Sequence, residues 1–162
     1  MTFIAGIDYY LPEKTVSNKE LAKRHPEWQM DQVALRTGVV DRHWCQPGET
    51  ALDLAEKASR QLFERLAVDP KQIDAVLFCT QSPDHIMPPN ACLLQDRLGL
   101  THNVAALDFT LACSGFIYGL YIAKALVASG MAKNLLLVTS ETYSKWIHPD
   151  DRGPLTLSLI HI

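Results

Sequence analysis

The stretch LDFTLACSGFIYGLYIAKALVASG, residues 107–130, decides how the chain is read. An apolar strand pattern ends near Phe109, and an apolar helix pattern runs from Cys113 to about Ser129, with Gly130 as the stop signal. A surface helix normally shows a polar face. This one carries a single charged residue, Lys124. A helix that is apolar all round is expected to be buried on all sides. Gly115, Gly119 and Ala123 fall four apart, on one helical face. Glycine inside a helix costs about 1 kcal/mol relative to alanine. Two of them are tolerable if the bare stripe lets another backbone approach closely. The helix is therefore expected at the centre of something larger than a three-layer domain.

The Cys113 thiol falls at the start of that helix, where free N–H groups and the positive end of the macrodipole favour a thiolate. The dipole is worth ~0.3–1 kcal/mol, up to ~2, and one pKa unit is about 1.4 kcal/mol. Alone, it lowers a cysteine from ~8.5 by roughly one unit. A catalytic thiolate needs a further partner, normally a histidine. The same N–H groups could help form an oxyanion hole. The residues alone leave two readings open, a core cysteine at a helix start and a nucleophile. A redox-sensing thiol is a third, which the apolar surroundings argue against.

The chain has 162 residues, enough for one domain with a sizeable core. Hydrophobic residues make up 48% and charged residues 20%, with a formal charge of -3, so the composition is that of a globular protein. No basic stripe points to nucleic acid or an anionic membrane. The longest apolar run is too short to span a bilayer, and MTFIAGIDYYLPEK lacks the pattern of a signal peptide. A cytoplasmic location is expected. Cys45, Cys79, Cys92 and Cys113 include no C-x-x-C pair, so neither a zinc site nor a disulfide is expected.

Outward from the deciding stretch, strands alternate with helices. TFIAGIDYYL (2–11) is expected as a first strand, ended by Pro12. Asn18 is expected to cap a short helix, KELAKRH, and EWQMDQVALRT to form another, stopped by Gly38. VVDRHW (39–44) reads as extended. Thr50 caps an amphipathic helix through Leu66, with Leu52, Ala55, Ala58, Leu62 and Leu66 on its apolar face. AVLFCT (75–80), VAALDF (104–109) and LLLVTS (135–140) read as strands, the first and last of them buried. Asn90 is expected to cap the helix ACLLQDRL. The alternation indicates an α/β fold with a mostly parallel sheet.

Five motifs occur in order: YLPEKTVSNKEL near the start, RTGVVDRH at 36–43, SPDHIMPPNACLLQDRLGL at 82–100, LDFTLACSGFIYGL, and HPDDRGPLT at 148–156. Together they resemble the N-terminal half of ketoacyl-ACP synthase III, a condensing enzyme of the thiolase superfamily. The resemblance covers roughly residues 3–156. It implies one half of a five-layer αβαβα fold, with the helix after Cys113 in the shared central layer. It implies that Cys113 takes an acyl group from acyl-CoA as a thioester. Malonyl-ACP then decarboxylates and attacks, giving a 3-oxoacyl-ACP without metal or redox cofactor. Arg36 and Arg152 match arginines near the CoA entrance. Met87 lies in the loop that, in the family, crosses a homodimer interface to close the partner's acyl pocket. For each of the three, surface or packing roles are the alternative.

Gln32 stands where many members carry a tryptophan that stacks on adenine; Trp28, one turn earlier, is expected either to supply the ring or to pack. None of the six histidines matches the family's catalytic histidine, which with its asparagine comes from the C-terminal half. LSLIHI, 157–162, reads like a translated sequencing adapter and is expected to be a non-native tail on a truncated product. Such a chain is expected to be acylated but not to condense. The competing readings are a non-catalytic half-fold that dimerises or binds a partner, and a specialised ketosynthase of secondary metabolism. A nucleotide-binding domain is disfavoured, since neither G-x-G-x-x-G nor a P-loop is present.

Overall fold

The computed structural model describes residues 2–148, 150, 151 and 153. The expected tail at 157–162 lies outside them. The described residues divide into two compact units, one drawn from 2–10 and 50–141, the other from 11–49 and the described residues after 141.

The first unit is built on a three-stranded parallel sheet. Its strands are β3 (Ala75–Cys79), β4 (Ala105–Phe109) and β5 (Leu135–Thr139), in the order β4-β3-β5. Register is even along the ladder: Ala75 pairs with Ala105 and Leu135, and Cys79 with Phe109 and Thr139. Every residue of β3 is buried, as a continuous apolar run in a central parallel strand requires. On one face Val76, Phe78, Leu136 and Val138 form a core with Leu52, Ala55 and Phe63 of α3 (Ala51–Leu66) and Leu94 of α4 (Asn90–Arg97). The other face carries α5 (Gly115–Ala128). Here the glycine stripe meets side chains rather than a backbone. A Cβ on Gly115 would lie 2.2 Å from Cys79 Sγ, and one on Gly119 2.6 Å from Leu137 Cδ1.

The second unit pairs β1 (Lys14–Ser17) antiparallel with β2 (Asp41–Trp44). Val16, Leu21, Trp28 and Met30 form its core, supplied by β1, α1 (Asn18–Arg24), the turn after it and α2 (Met30–Thr37). Gly38 ends α2 at φ 74°, a left-handed conformation open to glycine without steric cost.

Several sequence expectations change. Residues 2–11 form no strand; the segment lies beside α3, where Arg65 binds Asp8 Oδ2 at 2.8 Å and donates to the Ile7 carbonyl at 2.6 Å. A strand needs a partner ladder, and β5, the edge of its sheet, has none beyond β3 among the described residues. The strand β1 went unforeseen. Ser17, not Asn18, caps α1, accepting the Glu20 N–H, while Asn18 is buried and bridges the Val39 carbonyl to Arg42. Thr50 caps α3 as expected, in a reciprocal box with Asp53. Finally, α5 is not buried on all sides within this chain. Gly115 and Gly119 are its buried residues, and Phe116, Ile117, Tyr118 and Tyr121 are exposed.

Candidate active site at the Cys113 turn

Cys113 sits in a single 3-10 turn, Ala112–Ser114, between β4 and α5. The turn is held from both sides. Thr110 Oγ1 donates to the Thr80 carbonyl at 2.7 Å, and Thr80 N–H to the Phe109 carbonyl at 3.1 Å, so the strand end is fastened to β3. Ser114 closes the turn through its N–H and hydroxyl, both on the Leu111 carbonyl. Ala112 has φ 47°, in the left-handed region. That conformation costs an L-residue about 1–2 kcal/mol. Strain of this kind collects at functional sites, and here it sits directly before Cys113, which is exposed at the start of α5. Within this chain Cys113 is exposed and packs into no core.

Beneath the turn lies a second thiol. Cys79, at the end of β3, is buried against Gly115. Burial pushes its thiol up; a hydrogen bond with the Leu111 backbone opposes this, and the Glu141 charge adds to it. Low exposure and a raised pKa make Cys79 the inert member of the pair. Glu141 follows β5 and accepts from the Gln81 N–H and, at 2.9 Å, from the Ser82 hydroxyl. Burial pushes its carboxyl up, against those two hydrogen bonds. It fastens the root of the loop that carries Met87.

That loop puts two apolar side chains into solvent, Ile86 at 98% exposure and Met87 at 81%. Its far end is capped from another strand. Pro89 holds the cap position of α4 and offers no side-chain acceptor. Asp108 of β4 supplies one, taking the Asn90 and Ala91 N–H groups at 2.7 Å each. The expected Asn90 cap is thus replaced: Asn90 is the first residue of the helix, fully buried, and its side chain pairs with Asp84. Sequence reasoning passed over Asp108 and Glu141. The signal for Asp108 was an acid inside the otherwise apolar VAALDF, a residue type depleted in strands.

In the second unit, Arg36 is exposed in the last turn of α2, with Gln32 exposed one turn before it. Trp28 is placed otherwise. It is 7% exposed, packed in the core, and stacked on His25 with centroids 3.8 Å apart and planes at 9°. Of its two expected roles the structure gives it packing, since the imidazole occupies one ring face. Arg152 lies outside the described residues. Among the described residues no cluster of three metal-ligating side chains occurs, and no helix is long and apolar enough to cross a membrane.

A family profile described as 3-oxoacyl-[acyl-carrier-protein] synthase III matches residues 107–158, the stretch that opens on β4 and carries the Cys113 turn. A curated relative, the beta-ketoacyl-[acyl-carrier-protein] synthase III of Methylococcus capsulatus, is 43% identical over 154 residues, which are 95% of this chain and 47% of the relative. A crystal structure of a 3-oxoacyl-(acyl-carrier-protein) synthase III superposes with a TM-score of 0.91 at 46% identity, over 95% of this chain and 46% of that one. A priming beta-ketosynthase from a polyketide biosynthetic pathway gives 0.85 at 32% identity, over 94% and 45%. The chain spans about half the length of the relatives it matches. Its architecture is that of the thiolase-like fold over the shared part. The Cys113 turn thus lies inside a matched segment on a matched fold, and over the shared half the chain is similar in sequence and fold to 3-oxoacyl-[acyl-carrier-protein] synthase III.

Proposed function

We propose that this chain carries the acyl-accepting part of a condensing enzyme of fatty-acid or related biosynthesis. The observation that carries the reading is the exposed Cys113 on a strained, doubly fastened turn at the start of α5. Cys113 attacks the thioester carbonyl of acyl-CoA; the acyl group passes to sulfur, and CoA leaves as the free thiol with the cysteine's proton. N–H groups of the turn and of the first turn of α5 are the donors for the developing oxyanion. Malonyl-ACP then loses carbon dioxide, and its carbanion attacks the acyl-cysteine carbonyl; the acyl–sulfur bond breaks, Cys113 leaves as a thiolate that takes up a proton, and 3-oxoacyl-ACP is formed. Thioester exchange and decarboxylation balance without a metal or redox cofactor. Arg36 and Arg152 are proposed to meet the CoA nucleotide, and Met87 the acyl chain across a homodimer interface.

The setting is proposed to be cytoplasmic. The apolar rings on α5 favour one further reading, a half-fold that dimerises or binds a partner with Cys113 idle. Intact-mass measurement after incubation with acetyl-CoA and longer acyl-CoAs separates the two. An adduct that vanishes in Cys113→Ser supports the acyl acceptor. No adduct on folded protein overturns it in favour of the binding half-fold.

A further inference from the structure

The ladder between β3 and β4 does not simply fray before Cys113. Its last backbone rung runs from the Thr80 N–H to the Phe109 carbonyl at 3.1 Å. In a regular parallel ladder the next rung would run from the Leu111 N–H back to the Thr80 carbonyl. Two side chains stand in for it. The Thr110 hydroxyl takes the Thr80 carbonyl at 2.7 Å, and the Leu111 backbone bonds the Cys79 sulfur instead. The same sulfur meets the other foot of the turn: a Cβ on Gly115 would lie 2.2 Å from it, so the bare glycine rests directly on the thiol. Leu111 and Gly115 stand two residues before and two after Cys113. Thr80 and Cys79 are 1% and 5% exposed, so both anchors belong to the core of the sheet. A buried backbone group left without a partner costs about 1–3 kcal/mol. With these groups satisfied by side chains, the chain leaves the sheet through the left-handed Ala112.

We propose that Thr110 and Cys79 are positioning residues for Cys113, a hydroxyl and a buried sulfur that replace one ladder rung and fix the angle at which the turn offers the nucleophile. The inference rests on the acyl-acceptor reading and adds which side chains hold its thiol in line. Attack on a thioester carbonyl needs the sulfur at the right distance and direction, and a misplacement of about 1 Å can cost about a hundredfold in rate. Each residue acts on the backbone that carries Cys113, not on the acyl group.

The test follows acylation of Cys113 by acetyl-CoA over a range of concentrations, by intact mass, in the full chain and in Thr110→Val, Thr110→Ser and Cys79→Ala. Iodoacetamide labelling of Cys113, read by peptide mass, controls for a thiol that has merely withdrawn from solvent. The limiting rate of acylation is expected to fall about tenfold in Thr110→Val and about threefold or more in Cys79→Ala. The half-saturating acetyl-CoA concentration and the labelling rate are expected to stay within about twofold of wild type. Thr110→Ser keeps the hydroxyl and is expected to recover most of the rate. Since both residues act through one turn, the doubly substituted chain should be little slower than Thr110→Val alone. Four outcomes overturn the inference and leave the acyl-acceptor reading standing: an unchanged limiting rate in both single variants, a Thr110→Ser chain as slow as Thr110→Val, labelling that slows as much as acylation, or losses that multiply in the double variant. A wild-type chain that takes no acyl group overturns the acyl-acceptor reading and the inference with it.

Discussion

Helices α3 and α5 are of similar length and end against the same sheet, yet they solve opposite problems. In α3 the apolar face is narrow enough to be covered. Leu52, Ala55 and Phe63 enter the core, while Arg60 pairs with Glu56 at 2.9 Å on the outer face. Its start is closed by the Thr50–Asp53 box, and Arg97 ties Asp53 at 2.7 Å. Burial alone would push the Asp53 carboxyl up, but the Arg97 and Thr50 donors outweigh it and hold it below the usual range. Helix α5 has neither a side-chain cap nor a polar face, and it rests on the sheet through two glycines. The first helix is stabilised within this chain; the second leaves its rings uncovered by it. The lesson is that apolarity in sequence reports how much a helix could bury, and the packing within one chain reports how much it does.

The comparison breaks most directly at Leu52. It is 1% exposed and packs against both β-strand and helix side chains. Leu52→Ala is expected to cost about 2–5 kcal/mol through lost transfer energy and the cavity left behind. For a chain of this size that lowers the thermal midpoint by about 4–20 °C. A drop under about 2 °C in calorimetry would mean that α3 is not the anchoring helix.

Gly115 gives the next effect, and its sign decides what the stripe is for. Alanine gains about 1 kcal/mol in helix propensity. Against that, its Cβ would meet Cys79 Sγ at 2.2 Å, on a short side chain buried in the central strand. Overpacking of this kind costs about 1–3 kcal/mol. Gly115→Ala is therefore expected to destabilise by about 1 kcal/mol in urea titration, and Cys79→Ala in the same chain to recover most of it. Net stabilisation by Gly115→Ala would show that the glycine serves something other than this contact.

What was legible in the sequence followed local rules. The capping box at Thr50, the buried run at 75–80 and the Gly130 stop were read from residue type and spacing, and Gly130 indeed takes φ 76°. The turn at Cys113 was legible as a place but not as a conformation: no rule assigns a left-handed φ to an alanine, and only the closed geometry between β3 and α5 demands it. The segment 2–11 failed for the opposite reason. Its pattern is that of a strand, but a strand exists only with a neighbour to bond, and none lies beside it among the described residues. Asp108 escaped because its partners, the N–H groups of Asn90 and Ala91, are 18 and 17 residues away in sequence. Trp28 escaped because a ring one helical turn from the matched position can face either way, and here it turns inward onto His25.

The smallest effect on stability is expected on the face of α5 that the chain leaves open, and its smallness is the point. Tyr121 is 65% exposed and meets Tyr118 edge-on, with centroids 6.2 Å apart. Tyr121→Lys removes that ring contact but inserts a better helix former. The two nearly cancel, so the unfolding free energy should change by less than about 0.5 kcal/mol, as at an ordinary surface site. Association should respond far more. A contiguous apolar patch drives self-association, and a charge in its middle must be desolvated for the patch to be covered. Sedimentation velocity is expected to show the wild-type chain as a dimer or larger species and Tyr121→Lys shifted towards monomer at the same concentration. If the substitution instead cost as much as Leu52→Ala while the sedimentation profile stayed put, the α5 face would be covered within the chain, and the contrast between the two helices would be lost.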